Sequence, residues 1–186
     1  MILSFENQSS AQQYRYDVVK GGKTIGEMIA TKTVIGDTTV YVINSNTVFK
    51  LIFSLKIFYE LNETYVNGSL LKGDGLSTLN GTIQRKVETR KSGKKYEVEN
   101  TSNIVSIEKD AIKYSIPELY FSEPKGSTMV FSQIFASYLE FEEISEHTYM
   151  LYSEDGKNTY FYKNGVCVEV EVNRPYATFS LILKPK

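Results

Sequence analysis

Apolar and polar residues alternate with period two through most of the chain, and short turn dipeptides interrupt the alternation. The clearest stretch is His147 to Val172, HTYMLYSEDGKNTYFYKNGVCVEVEV. Asp155-Gly156 and Asn164-Gly165 there separate three runs rich in Tyr, Phe, Leu and Val. Both dipeptides tolerate the positive φ that tight turns demand, so the segment predicts a three-stranded antiparallel meander. The same grammar fills the upstream sequence. Tyr14, Tyr16 and Val18 alternate with Arg15 and Asp17, which places a first strand from about Gln13. Gly21-Gly22 turns the chain into a strand over Lys23 to Val34, with Gly26 marking a bulge. Gly36-Asp37 leads into Thr38 to Asn46.

In Val48 to Leu61, VFKLIFSLKIFYEL, every odd position is apolar: Phe49, Leu51, Phe53, Leu55, Ile57, Tyr59 and Leu61. That pattern predicts one long strand whose apolar face must be covered. Ser69 to Thr78 follows, broken by Gly73-Asp74-Gly75. This triplet lacks the further acidic ligands of a calcium loop and the Gly-Lys-Ser/Thr of a phosphate loop, so a bend or bulge is expected. Hairpins are expected over Thr82 to Asn100, and around Lys109-Asp110 between Ile104–Glu108 and Ala111–Ser115. The rhythm breaks at Ile116-Pro117, and Pro124 with Gly126 bracket an irregular piece. Val130, Phe131, Ile134, Phe135 and Tyr138 then recur at helical spacing behind Ser127 as N-cap, predicting a helix from about Ser127 to Tyr138. Tyr176 to Leu183 is a last strand. The expected architecture is mainly β: a large curved antiparallel sheet or incomplete barrel of about 10–12 strands with one short helix.

Length and composition narrow this picture little. The 186 residues fit one domain, expected over 13–186. Residues 1–12 are expected to be disordered or the remnant of a secretory signal, because Ser9-Ser10-Ala11 resembles the small-residue end of one. Fourteen Tyr and ten Phe without Trp suit a folded β protein. A net charge of −1 gives no long-range attraction to nucleic acid. The basic cluster Arg85 to Lys95 reads as a solvated hairpin rather than a polyanion site. No apolar run reaches the length of a membrane-spanning helix, and a monomer is expected.

Candidate chemistry is sparse. A single Cys167 and a single His147 exclude an intramolecular disulfide and a Cys/His metal constellation. His147 reads as a surface residue, since no nucleophile elbow accompanies it. Glu169 and Glu171 would share one strand face about 7 Å apart, a glycosidase geometry only if a cleft held a sugar between them. No catalytic residue, metal or cofactor is therefore expected.

Three segments carry a resemblance: YRYDVVKGGKTIG (Tyr14 to Gly26), SIPELYFSEP (Ser115 to Pro124) and YFYKNG (Tyr160 to Gly165). With them the chain resembles uncharacterised exported β-rich proteins of Gram-negative bacteria, a domain family of unknown function, over nearly all of its length after Gln12. The resemblance implies a strongly curved sheet similar in outline to lipocalin-like and lipoprotein-carrier folds. It also implies a periplasmic or outer-membrane-associated setting, and the expected localisation is periplasmic or secreted, or cytoplasmic if no signal precedes the chain. It supplies no functional residues.

The expected function is a non-enzymatic protein that binds or shields a hydrophobic ligand, a lipid or acyl chain, inside the sheet. The alternative is a structural or protein-interaction module of the cell envelope, touching its partner through sheet edges or the Pro117–Gly126 loop. The expected ligand-lining residues are Phe49, Leu51, Phe53, Leu55, Tyr160, Tyr162, Val168 and Val170. Two registers of the last hairpin are open. A two-residue turn at Asn164-Gly165 puts Tyr160 and Tyr162 with Cys167 and Glu169. A three-residue loop with a bulge puts them with Val166, Val168, Val170 and Val172, and this register, which yields one unbroken apolar face, is the expectation.

Overall fold

In the computed structural model, residues 9–50, 54–101, 103–175 and 177–185 are described. They form one antiparallel sheet of 14 strands. Its first arm contains β1 (Ser9–Lys20), β2 (Lys23–Ile35), β3 (Thr38–Lys50), β4 (Ser54–Val66), β5 (Ser69–Leu79), β6 (Thr82–Ser92), β7 (Lys95–Asn100) and β8 (Ile104–Ile107). Its second contains β9 (Met129–Ser132), β10 (Ser137–Ser145), β11 (Thr148–Ser153), β12 (Gly156–Lys163), β13 (Val166–Arg174) and β14 (Ala177–Leu183). Each strand pairs with its sequence neighbour within its arm, and β1 pairs with β14, so the two arms meet along the middle of the sheet. β8 and β9 are the two ends of the strand order, and the sheet does not close.

The strand count exceeds the expected 10–12 because the predicted helix is two strands, β9 and β10, and the strand predicted over Val48–Leu61 is divided between the end of β3 and the start of β4. Phe49 pairs with Leu55 and Thr47 with Ile57, so the chain reverses between Lys50 and Ser54. Odd residues face odd residues across this hairpin, so both strands point the same parity inward. The period-two pattern consequently runs through the reversal unbroken, which is why it reads as a single strand. β1 also begins at Ser9, not Gln13, and Ser9, Ser10 and Ala11 pair with Ile35, Val34 and Thr33.

The predicted helix over Ser127–Tyr138 is instead β9, a turn and β10, with Phe131 opposite Tyr138 and Val130 opposite Leu139. Four intervening residues carry the apolar positions from one strand to the next at a spacing that imitates a helix. Helical geometry occurs elsewhere, as a 3-10 turn at Ile116–Tyr120 with Pro117 in its first turn, where the missing N–H costs nothing. The hairpin predicted around Lys109-Asp110 is half present. Ile104–Ile107 is β8, but 111–115 forms no strand and adds to the sheet ladder a single bridge, from Ser115 to Phe131.

The segment leaving β8 enters the concave side of the sheet as a plug. Ile112, Leu119, Tyr120 and Phe121 are buried within the same cluster as Tyr16, Val18, Ala30, Ile43, Leu61, Phe141 and Tyr160. The amide of Leu70 donates to the Ile112 carbonyl at 2.8 Å, and Tyr162 donates its hydroxyl to the Leu119 carbonyl at 2.8 Å. The plug thereby touches β5 on one arm and β12 on the other. The hydrophobic core thus lies between a curved sheet and its own connecting segment.

Candidate functional site at the plugged interior

Strand alternation builds the site. On β4, Leu61, Glu63 and Tyr65 follow one another on the inward face, and all three are buried. The apolar odd face of the sequence therefore ends in a carboxylate. Ser115, at the start of the 3-10 turn, donates its hydroxyl to Glu63 Oε2 at 2.5 Å. The Tyr65 hydroxyl lies 2.6 Å from Ser115 Oγ and 3.2 Å from the same Glu63 oxygen. Glu63 Oε1 finds no partner among the described residues.

Burial removes water from this carboxyl, and the two hydroxyls only partly offset it. Its pKa is consequently pushed up to about 7, with Glu118 adding repulsion. Burial, opposed weakly by the cation of Lys32, also raises Glu118. Burial and the charge of Glu63 together raise the Tyr65 hydroxyl. A serine hydroxyl on a carboxylate has the makings of nucleophile and base, yet Glu63 and Ser115 are fully buried and both bonded to the Tyr65 hydroxyl. The arrangement ties the plug to the wall.

Further contacts fix the exit of the plug. Burial pushes Glu123 up, but hydrogen bonds from His147 Nδ1 at 2.8 Å and Tyr149 at 3.0 Å outweigh it and hold the carboxyl low. The Glu123 contact raises His147, whose φ of 59° places it in the Ser145–Thr148 turn. His147 is thus an exposed clasp residue, as its position beside Glu146 suggested.

The expected ligand-lining residues separate. Tyr160, Tyr162 and Val170 lie in the core. Phe49 is buried near the β3–β4 tip against Phe179, ring centroids 5.3 Å apart, and Leu55 opposite it is half-buried. Leu51 and Phe53 fall outside the described residues. Val168 is half-buried and does not join Val170, because the hairpin uses parts of both open registers. Tyr162 pairs with Cys167 across the two-residue turn, and Phe161 then pairs with Glu169, leaving Val168 as the extra residue of a bulge. Cys167 and Val170 therefore both point inward, and Cys167 is fully buried instead of outside. Tyr16 donates its hydroxyl to the Cys167 carbonyl at 2.8 Å, satisfying a polar group at the bulge.

The remaining sequence signals are structural. Gly73 and Gly75 face inward, and an added Cβ at either would overlap Gln133 or Ile134 of the β9–β10 turn. The Gln133 amide donates to the carbonyls of Gly73 and Val87 at 3.2 and 3.1 Å, bridging the two arms. Asp74 faces out and pairs with Arg90 at 2.7 Å. Arg85 of the basic cluster spans to Asp155 and Glu154 at 2.8 Å each and lies over Phe135. Arg85, Phe135 and Glu154 border an open polar groove of about 390 Å³. Among the described residues no helix is long and apolar enough to cross a membrane, and no cluster of potential metal ligands occurs.

A family model for a domain of unknown function, DUF6134, matches residues 16–184. The chain belongs to the DUF6134 family. This DUF6134 domain therefore runs from the middle of β1 through β14, and the plug is internal to it. Among solved structures, a β-barrel-like protein of a domain of unknown function, DUF1849, from Brucella abortus resembles it with a TM-score of 0.51 and 6% identity over 96% of each chain. At that identity the likeness shows a shared barrel-like fold. No curated protein matches the DUF6134 chain.

Proposed function

We propose that this DUF6134 protein is a non-enzymatic, exported interaction module of the cell envelope that acts as a monomer in contact with another protein. One observation carries the reading: the chain's own segment, with Ile112, Leu119, Tyr120 and Phe121, occupies the concave interior where a hydrophobic ligand would sit. A sheet filled in this way offers a partner its outer surface and its free edges. The first half of the Pro117–Gly126 loop is buried in the plug, which leaves a sheet edge as the stronger contact. Periplasmic placement is an expectation that the sequence resemblance supports, and fractionation of cells expressing the native gene tests it. The functional test pairs native mass spectrometry of detergent-free protein with crosslinking in the intact envelope. The bare chain mass and a specific crosslinked protein are expected. A co-purifying lipid at stoichiometric occupancy, with no crosslinked protein, would overturn the proposal.

A hydrophobic ligand is the second reading, favoured by the aromatic pair Phe49 and Phe179 near the β3–β4 tip, with the ammonium of Lys20 5.4 Å from the Phe49 ring centre. An acyl chain with an anionic head would match that pairing. Titration with a fluorescent fatty acid tests it: Phe49→Ala should abolish saturable binding, and unchanged binding would sink it.

A further inference from the structure

The two ends of the sheet are unequal in what covers them. At β9 the amide of Phe131 donates to the Tyr114 carbonyl at 3.1 Å, and Ser115 bridges Phe131 in parallel, so the plug itself lies along that edge. Among the described residues no strand pairs with the outer side of β8. Its ladder phase follows from the turn before it. The Asn100 amide donates to the Asn103 carbonyl at 2.9 Å. Bonded pairs alternate in antiparallel strands, so Val98 with Val105 and Tyr96 with Ile107 exchange the next bonds. Ile104 and Ser106 accordingly turn their N–H and C=O groups away from β7.

Side chains sharpen the contrast. Val98 and Tyr96 are completely buried, whereas Val105 directly opposite Val98 is 42% exposed and Ile104 is 73% exposed. The core thus runs out beneath an apolar strand whose outer edge meets no strand among the described residues. Resting on the interaction reading above, we propose that β8 receives an extended segment of a partner protein by antiparallel strand addition. Apolar residues at alternate positions of the segment would lie beside Val105 and Ile107. A second copy of this chain is the weaker occupant, because four residues span only about 13 Å and bury far less than the ~1,200 Å² of a stable symmetric interface. A strand held by main-chain bonds and two side-chain contacts suits a transient peptide.

The test is amide hydrogen exchange of the full chain with and without the peptide Lys-Val-Thr-Val-Thr-Val-Lys. Exchange at Ile104 and Ser106 should slow at least tenfold with peptide. Ser106→Pro removes an outward amide without touching the β7 ladder, and should abolish the effect. Val105→Lys, which guards the edge by charge, serves as the second variant and should abolish it too. No protection at these amides, or protection that persists in both variants, overturns the proposal. So does the same protection appearing with protein concentration alone, since a second copy would then fill the edge. A partner crosslinked elsewhere with β8 unprotected sinks the edge site and leaves the interaction reading standing. Lipid recovered with no crosslinked protein sinks that reading itself.

Discussion

β8 and β9 are both four-residue strands at the ends of one sheet, yet one is sealed and the other bare. Val130, Phe131 and Ser132 of β9 are buried beneath the plug, while Ile104, Val105 and Ser106 of β8 are exposed. The sheet is finished on one side by its own connecting segment, so closing the barrel strand to strand is unnecessary. If the plug supplies the closure, damage to it must cost far more than damage at β8. Leu119→Ala should remove about 3 kcal/mol of stability by leaving a cavity in the interior, while Ile104→Ala should stay within about 0.5 kcal/mol. Urea unfolding of both variants measures this. Equal losses would break the contrast.

The hydroxyl–carboxyl tie between plug and wall gives the next largest effect. Glu63 has a raised pKa in the folded chain, so its contribution is fully present below the unfolded value near 4.5 and is lost as pH rises to about 7. Glu118, also raised, acts in the same direction. Wild-type stability should fall by roughly 2 to 3 kcal/mol between pH 4.5 and 7.5 on account of Glu63. Glu63→Gln keeps an acceptor for Ser115 and carries no charge, so that component of the slope should vanish. A variant with an unaltered slope would show that the carboxyl is not isolated from water as the packing implies.

The bridge from the β9–β10 turn to the first arm is weaker. Gly73→Ala forces the Gln133 side chain off two carbonyls and should cost about 1 to 2 kcal/mol. The double variant Gly73→Ala with Gln133→Ala should lose little beyond the Gln133→Ala single variant, because the clash and the bridge disappear together. Full additivity in a denaturant series would place the effect of Gly73 in its backbone instead.

What the sequence made legible was whatever lies within one strand or one turn. Alternation located the strands and Asn-Gly and Asp-Gly marked reversals, because those signals are local. The plug was not legible. SIPELYFSEP shows a break in rhythm, but its burial depends on Tyr14, Tyr41 and Tyr160, which come to it from distant strands. Parity hid the β3–β4 reversal, and the bulge at Val168 let the chain switch registers in mid-hairpin. A signal for the site did exist in the continuation of the odd face beyond Leu61, where Glu63 interrupts an apolar series that Tyr65 resumes. A charge at an inward strand position asks for a partner from elsewhere in the chain, and here it is Ser115.

The smallest effect concerns a second way of joining the arms. Arg85 of β6 holds Asp155 through two nitrogens, at 2.8 and 3.1 Å, and Glu154 at 2.8 Å, linking the first arm to the β11–β12 turn. All three side chains are substantially exposed, so water and salt screen the pairs. A double-mutant cycle between Arg85→Ala and Asp155→Ala should give a coupling of about 0.5 to 1 kcal/mol that shrinks further in 1 M salt. The stacking of Arg85 on Phe135 adds packing that salt does not remove, so the single variant Arg85→Ala should retain part of its cost. A salt-insensitive coupling above about 2 kcal/mol would mean that this surface clasp, and not the buried plug, holds the two arms in place. The contrast between the sealed and the bare edge would then lose its physical basis.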